Sequence, residues 1–105
     1  MGEWVRVAEI GDIDEETVIG VIVGDRQLAV YHLAGGEFLV TDNVCTHEHV
    51  LLSEGWLDGA TIECPLHGGV FDVRTGKGLC APIERDLAVY EVETRDGGVF
   101  VRVAG

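Results

Sequence analysis

Basic residues are scarce in this chain. Seven Lys and Arg stand against nineteen Asp and Glu in 105 residues, a formal net charge of −12 at pH 7. Without a basic surplus the chain lacks the footprint that nucleic-acid phosphates require. Long apolar runs are absent as well. No stretch approaches the roughly 20 residues that a membrane helix needs. The opening MGEWVRVAEIGDIDEE has neither a basic region nor an apolar one behind it, so it reads as mature sequence rather than a secretion signal. Cysteines number only three, an odd count that argues against a disulfide framework. Thiols used as metal ligands in a cytoplasmic protein fit better. A sustained helical period is missing too. At this length the chain forms one domain with one modest core.

What is present is β-type patterning and glycine. Hydrophobic residues make up 47% of the chain, which excludes disorder, and fifteen glycines imply many tight turns. EWVRVAEI alternates. ETVIGVIVGDRQLAVYHL breaks at Gly24-Asp25, and YHLAGGEFLVTD at Gly35-Gly36. LAVYEVETRDGGVFVRV has two alternating arms around Asp96-Gly97-Gly98, the clearest hairpin of the chain. DIDEET at 12–17 starts at most a short helical turn. Short strands at this spacing predict an all-β sandwich or barrel. The span 43–83 differs. It holds all three cysteines, both prolines and three of the four histidines, with glycines at 55, 59, 68, 69, 76 and 78. It reads as a loop-rich insertion in a β base formed by 1–42 and 84–105, all within a single domain 1–105. Sites commonly sit on such loops.

Within that span, Cys45-Thr46-His47 forms C-x-H and Cys64-Pro65-Leu66-His67 forms C-P-x-H, with sixteen residues between His47 and Cys64. Thiolate and imidazole suit zinc or iron–sulfur rather than calcium or magnesium. Zinc would draw all four ligands to one tetrahedral centre. A Rieske-type cluster would take the cysteines on one iron and the histidines on the other. The tight C-x-H spacing favours two neighbouring irons over one zinc, and zinc stays open as an interaction-module reading.

The residues CTH…CPLHGGVFDVRTGKGLCAPI resemble the Rieske-type [2Fe–2S] ferredoxin components of bacterial aromatic-ring-hydroxylating dioxygenase systems, the naphthalene, biphenyl and carbazole class. The likeness extends over essentially the whole chain and is most specific at 45–82. It implies the Rieske fold, stacked antiparallel sheets with a cluster-binding subdomain, 43–83, at one tip. It implies one [2Fe–2S] cluster held by Cys45 and Cys64 on the buried iron and by His47 and His67 on the outer one. It implies a cytoplasmic, monomeric one-electron carrier rather than an enzyme, fed by a flavoprotein ferredoxin reductase using NAD(P)H. The electrons would go to a terminal Rieske non-haem iron oxygenase that dihydroxylates aromatic compounds, with no nucleic acid or membrane involved. The alternative is a small Rieske subunit of another oxidoreductase, such as an assimilatory nitrite reductase. Glu48 departs from the glycine common at its position, and His49 reads as a surface residue or one just behind the ligands. Val50 and Leu66 stand where high-potential respiratory relatives have a second pair of cysteines. Gly69 and Phe71 stand where those relatives have hydroxyl donors, so the potential is expected low in the Rieske range of roughly −150 to +300 mV. His32 reads as a paired structural histidine, Cys80 as a small buried thiol near the cluster, and Trp4, Trp56 and Phe71 as core fillers.

Overall fold

The computed structural model describes residues 2–46, 49–66, 68–80, 83 and 85–104, with only the backbone at Gly2 and Ala104. Ten strands run in chain order: β1 (Gly2–Glu9), β2 (Thr17–Val23), β3 (Arg26–His32), β4 (Phe38–Asp42), β5 (Trp56–Asp58), β6 (Thr61–Glu63), β7 (Val70–Asp72), β8 (Val89–Tyr90), β9 (Val92–Arg95) and β10 (Gly98–Ala104). Two 3₁₀ turns, Ile10–Asp12 and Leu52–Glu54, are the only helical elements among the described residues. The strands form three antiparallel sheets, β1-β10-β9, β2-β3-β4-β8 and β5-β6-β7. The all-β expectation therefore holds.

Turn chemistry fixes the registers. Val23 pairs with Arg26 across Gly24-Asp25, and Gly24 takes the positive φ that a tight hairpin requires there. Arg95 pairs with Gly98, which leaves Asp96-Gly97 as a two-residue turn with both residues at positive φ. That is the type I′ signature and the usual use of an Asp-Gly pair. The turn is one residue shorter than the sequence suggested. The arm before it is also divided. β8 pairs with β4, whereas β9 pairs with β10, so the chain changes sheets at Glu91. A two-residue strand in a larger sheet carries too little periodicity to be separated by pattern alone.

The middle sheet separates two cores, and β3 belongs to both. Leu28 and Val30 pack with Ile13, Phe38, Val40, Val99, Val101 and Val103 on one side. Ala29, Tyr31 and Leu33 point the other way, into a core with Cys45, Leu52, Ile62, Cys64, Phe71, Val73 and Leu87. The two-residue period of the strand sends alternate side chains to the two layers. His32 ends the strand, buried, with its ring stacked on Phe38 at 4.1 Å. Its Nδ1–H donates to the Ile13 carbonyl at 2.7 Å, the structural pairing expected of it.

Tyr31 is fully buried beside the cysteines. Thr41 Oγ1 donates to the Asp42 carbonyl at 2.8 Å, so the Tyr31 hydroxyl is the donor in its 2.9 Å bond to Thr41. Burial pushes the phenol up from 10.0 to about 12. An unfolded chain loses this proton near pH 10, while the folded chain keeps it to about pH 12. The contribution is thus fully present below pH 10 and is lost as pH rises through that window. Its size is about 2–3 kcal/mol. Tyr31→Phe is expected to cost about 1 kcal/mol at pH 7 through the missing hydrogen bond, and to flatten the decline above pH 10. Part of the slope remains in that variant, because burial also raises Tyr90. Urea midpoints from pH 7 to 12 test this, and an equally steep decline in Tyr31→Phe would refute it.

Candidate metal centre

Two short hairpins carry the two cysteines, and they are built alike. In the first, Val44 bridges Leu51 and the Cys45 N–H donates to the Val50 carbonyl at 2.9 Å. In the second, Glu63 pairs with Val70 and the Cys64 N–H donates to the Gly69 carbonyl at 2.7 Å. Each loop thus spans six residues, opens with its cysteine and closes five residues later. Both cysteines are buried in the same apolar core as Phe71, Leu52 and Ile62, and none of the three cysteines is in a disulfide. Two desolvated soft sulfur donors on equivalent loops fit a centre that takes one thiolate from each loop. His47 and His67, with Glu48 and Pro82, lie outside the described residues. His49 is described and exposed.

A third segment ties the loops together. Thr46 Oγ1 donates to the Arg85 carbonyl at 2.7 Å from the first loop. Cys80 Sγ sits 3.8 Å from the Gly68 carbonyl of the second. Leu79 N–H bonds to Val70 O at 2.8 Å, and Leu87 N–H to Gly76 O at 2.6 Å. Gly76 is required at its place. Its φ is +79°, and a Cβ there would lie 2.1 Å from the Leu87 carbonyl. Cys80 is exposed, contrary to the buried thiol expected. Trp4 and Trp56 also depart from expectation. They are 37% and 60% exposed, on outer sheet faces. Phe71 is fully buried, as expected.

Asn43 is a residue that sequence reasoning missed. It is buried two positions before Cys45. Its N–H donates to Gln27 O at 2.9 Å, and its carbonyl accepts from Leu52 N at 2.7 Å. Its Oδ1 accepts from Ser53 N at 2.8 Å, while Nδ2 donates to Ser53 Oγ at 3.0 Å. The side chain thus satisfies the backbone of the Leu52–Glu54 turn and anchors both ends of the first loop. Gly20 on β2 makes room for it, since a Cβ there would stand 2.8 Å from Nδ2 and 3.0 Å from Ser53 Oγ. The only available signal was an Asn between a strand and C-x-H, which reads equally well as an exposed turn residue.

Residues 3–91 match the family model of the Rieske [2Fe-2S] domain. The chain belongs to this family. It carries a Rieske-type [2Fe–2S] cluster, and the buried thiol pair on matched loops suits it. Among curated relatives, the ferredoxin component of a naphthalene 1,2-dioxygenase system from Pseudomonas putida is 43% identical over 94% of each chain. A solved complex of reduced oxygenase and oxidized ferredoxin in carbazole 1,9a-dioxygenase contains a similar chain. That chain is 44% identical with a TM-score of 0.87, over 94% of this chain and 92% of the other. A putative NADH-dependent nitrite reductase small subunit from Mycobacterium tuberculosis superposes with a TM-score of 0.89, over 100% of this chain and 98% of the other. At 20% identity that likeness shows the fold alone.

Asn43→Ala is expected to destabilise the protein by about 1–3 kcal/mol, because the Ser53 groups lose their buried partners. Gly20→Ala should act in the same direction by forcing Asn43 and Ser53 aside. Both variants should lose iron to a chelator several-fold faster than the parent, read as decay of visible absorbance. Parental rates of iron loss in both would remove Asn43 from the support of the first loop.

Proposed function

We propose that Cys45, His47, Cys64 and His67 hold the cluster, with 43–83 acting as its binding unit on the base formed by 1–42 and 84–105. The protein is an electron-transfer component, the ferredoxin of an aromatic-ring dioxygenase system that passes electrons to the oxygenase. The observation that carries the ligand reading is the pair of matched loops, each opening with a buried cysteine and holding a histidine two or three residues on. When bound, the cluster takes up and releases one electron at a time.

The surrounding residues shape that task. Burial of Cys45 and Cys64 keeps water and dissolved oxidants from the sulfurs. Each cysteine spends its own N–H on closing its loop, which ties the two ends of the loop together. Phe71 shares the core with both cysteines and brings a ring without a hydroxyl, which supports the low end of the Rieske range. The naphthalene and carbazole relatives support an aromatic-ring oxygenase as the acceptor. We take the donor to be a flavoprotein reductase using NAD(P)H, as membership of such a system implies. We read the carrier as a cytoplasmic monomer. A fixed subunit of a nitrite reductase is less well supported, since that likeness rests on fold alone.

His47→Ala and His67→Ala are each expected to abolish the Rieske-type electron paramagnetic resonance signal, while His49→Ala and Cys80→Ala retain it with parental iron content. Loss of the signal in His49→Ala and retention in His47→Ala would move the ligand to position 49. Stopped-flow mixing with a ferredoxin reductase and a terminal oxygenase tests the carrier role. Oxygenase reduction should require this chain and slow by on the order of tenfold between low and high salt, as steering by the −12 charge is screened. Oxygenase reduction at the same rate without this protein would overturn the role.

A further inference from the structure

The outer face of the third sheet carries an ordered row of residues that neither the core nor the ligand loops use. Trp56 is opposite Glu63, and Glu63 is opposite Val70. The Phe71–Gly78 bridge and the Leu79 N–H to Val70 O bond extend the pairing by one more segment. Directly opposed residues share a face of a sheet. Trp56, Glu63, Val70 and Leu79 therefore form one line across four neighbouring segments, roughly 15 Å long at the usual strand spacing. The alternate residues Leu57, Ile62 and Phe71 point inward to the core.

This line is apolar except at Glu63, and it is open. Trp56 is 60% exposed and Leu79 49%. Its position follows from the register. Glu63 and Val70 immediately flank the loop Cys64–Gly69, so the row runs along the foot of the second ligand loop, whose Leu66 is also exposed. Behind it lies a second row, Asp58, Thr61, Asp72 and, by the same pairing, Lys77. Exposed Glu54 precedes β5. The face is thus an aromatic and aliphatic ridge with an acidic surround and one base.

We infer that this ridge, anchored by Trp56, docks the carrier onto the terminal oxygenase, whose matching surface is an apolar recess rimmed by Arg and Lys. The inference rests on the electron-carrier reading above. Charge selects the occupant. A second copy would bring the same acids against Glu54, Asp58 and Glu63, and an anionic lipid surface would be repelled likewise. A protein that approaches the second ligand loop closely enough to take an electron covers the row at the loop's foot. Exposed tryptophan is the side chain most often found to anchor such contacts, and the small area suits a transient encounter.

The test is binding of holoprotein to the oxygenase by surface plasmon resonance, with the reduction potential and the paramagnetic resonance spectrum recorded for every variant. Trp56→Ala should weaken binding by about 10- to 30-fold, with potential and spectrum unchanged. Trp4→Ala, on β1 of another sheet, should bind as the parent does. Leu79→Ser should weaken binding roughly threefold or more, and it decides the matter if Trp56→Ala does not retain its cluster. Parental affinity in Trp56→Ala, or in Leu79→Ser where it is the deciding variant, would overturn the inference. So would an effect confined to the reductase. If the parent itself neither binds nor reduces the oxygenase, the carrier reading falls and takes this surface with it.

Discussion

Everything in this fold depends on β3 being buried on both faces. Residues from Leu28 to Leu33 form an unbroken buried run, divided alternately between two cores. A strand that packs on one side only leaves the other to solvent. Here both sides are taken, so the base and the cysteine-bearing layer are joined through a common wall. A shift of one residue in the β2–β3–β4 register would exchange the two sets of side chains and place Tyr31 among the valines of the base. Gly24-Asp25 and the Gly35-Gly36 turn prevent that slip by fixing the hairpins on either side.

The second constraint concerns buried thiols. A thiolate in an apolar core carries a desolvation cost unless a metal neutralises it. Cys45 and Cys64 are placed in such a core by two hairpins closed in the same way, by backbone bonds rather than by side chains. Closure therefore makes no demand on the side chains at positions 46–49 and 65–68, which leaves them open to ligand and contact duties. The loops still need outside support at their bases. Asn43 supplies it for the first, and the 79–87 segment reaches both through Thr46 and Gly68.

Most of the fold was legible because its signals are local. Alternation and the Gly-Asp, Gly-Gly and Asp-Gly turns specify the long hairpins without reference to distant residues. That Cys45 and Cys64 belong together was legible from their chemistry and spacing, and both lie buried in one core. Features set by tertiary context were not. Trp4 and Trp56 are apolar, and nothing local told which face of a three-residue strand such as Trp56–Asp58 would turn outward. Cys80 was assigned to the interior by residue type, although its neighbours in space leave it exposed. The break between β8 and β9 and the role of Asn43 both depend on partners tens of residues away or on a turn with no periodicity. Asn43 meets Gln27 sixteen residues upstream, and β8 meets β4 across nearly half the chain.

Charge completes the physical account. Among the described residues, exposed pairs hold Arg6 with Glu9, Arg74 with Glu37, Arg95 with Glu93 and Arg102 with Glu91. Pairs of this kind contribute little to stability. They do remove positive charge from the surface field, so the acids not in these pairs act toward solvent with little opposition. Self-repulsion of that size works against compaction, and two cores sharing one strand offset it. The same field keeps copies of the carrier apart while drawing it toward basic surfaces. For a protein that must meet a donor and then an acceptor, long-range attraction with a small contact area is the useful combination. Attraction raises the encounter rate, and a small area keeps the dissociation rate high enough for the next exchange.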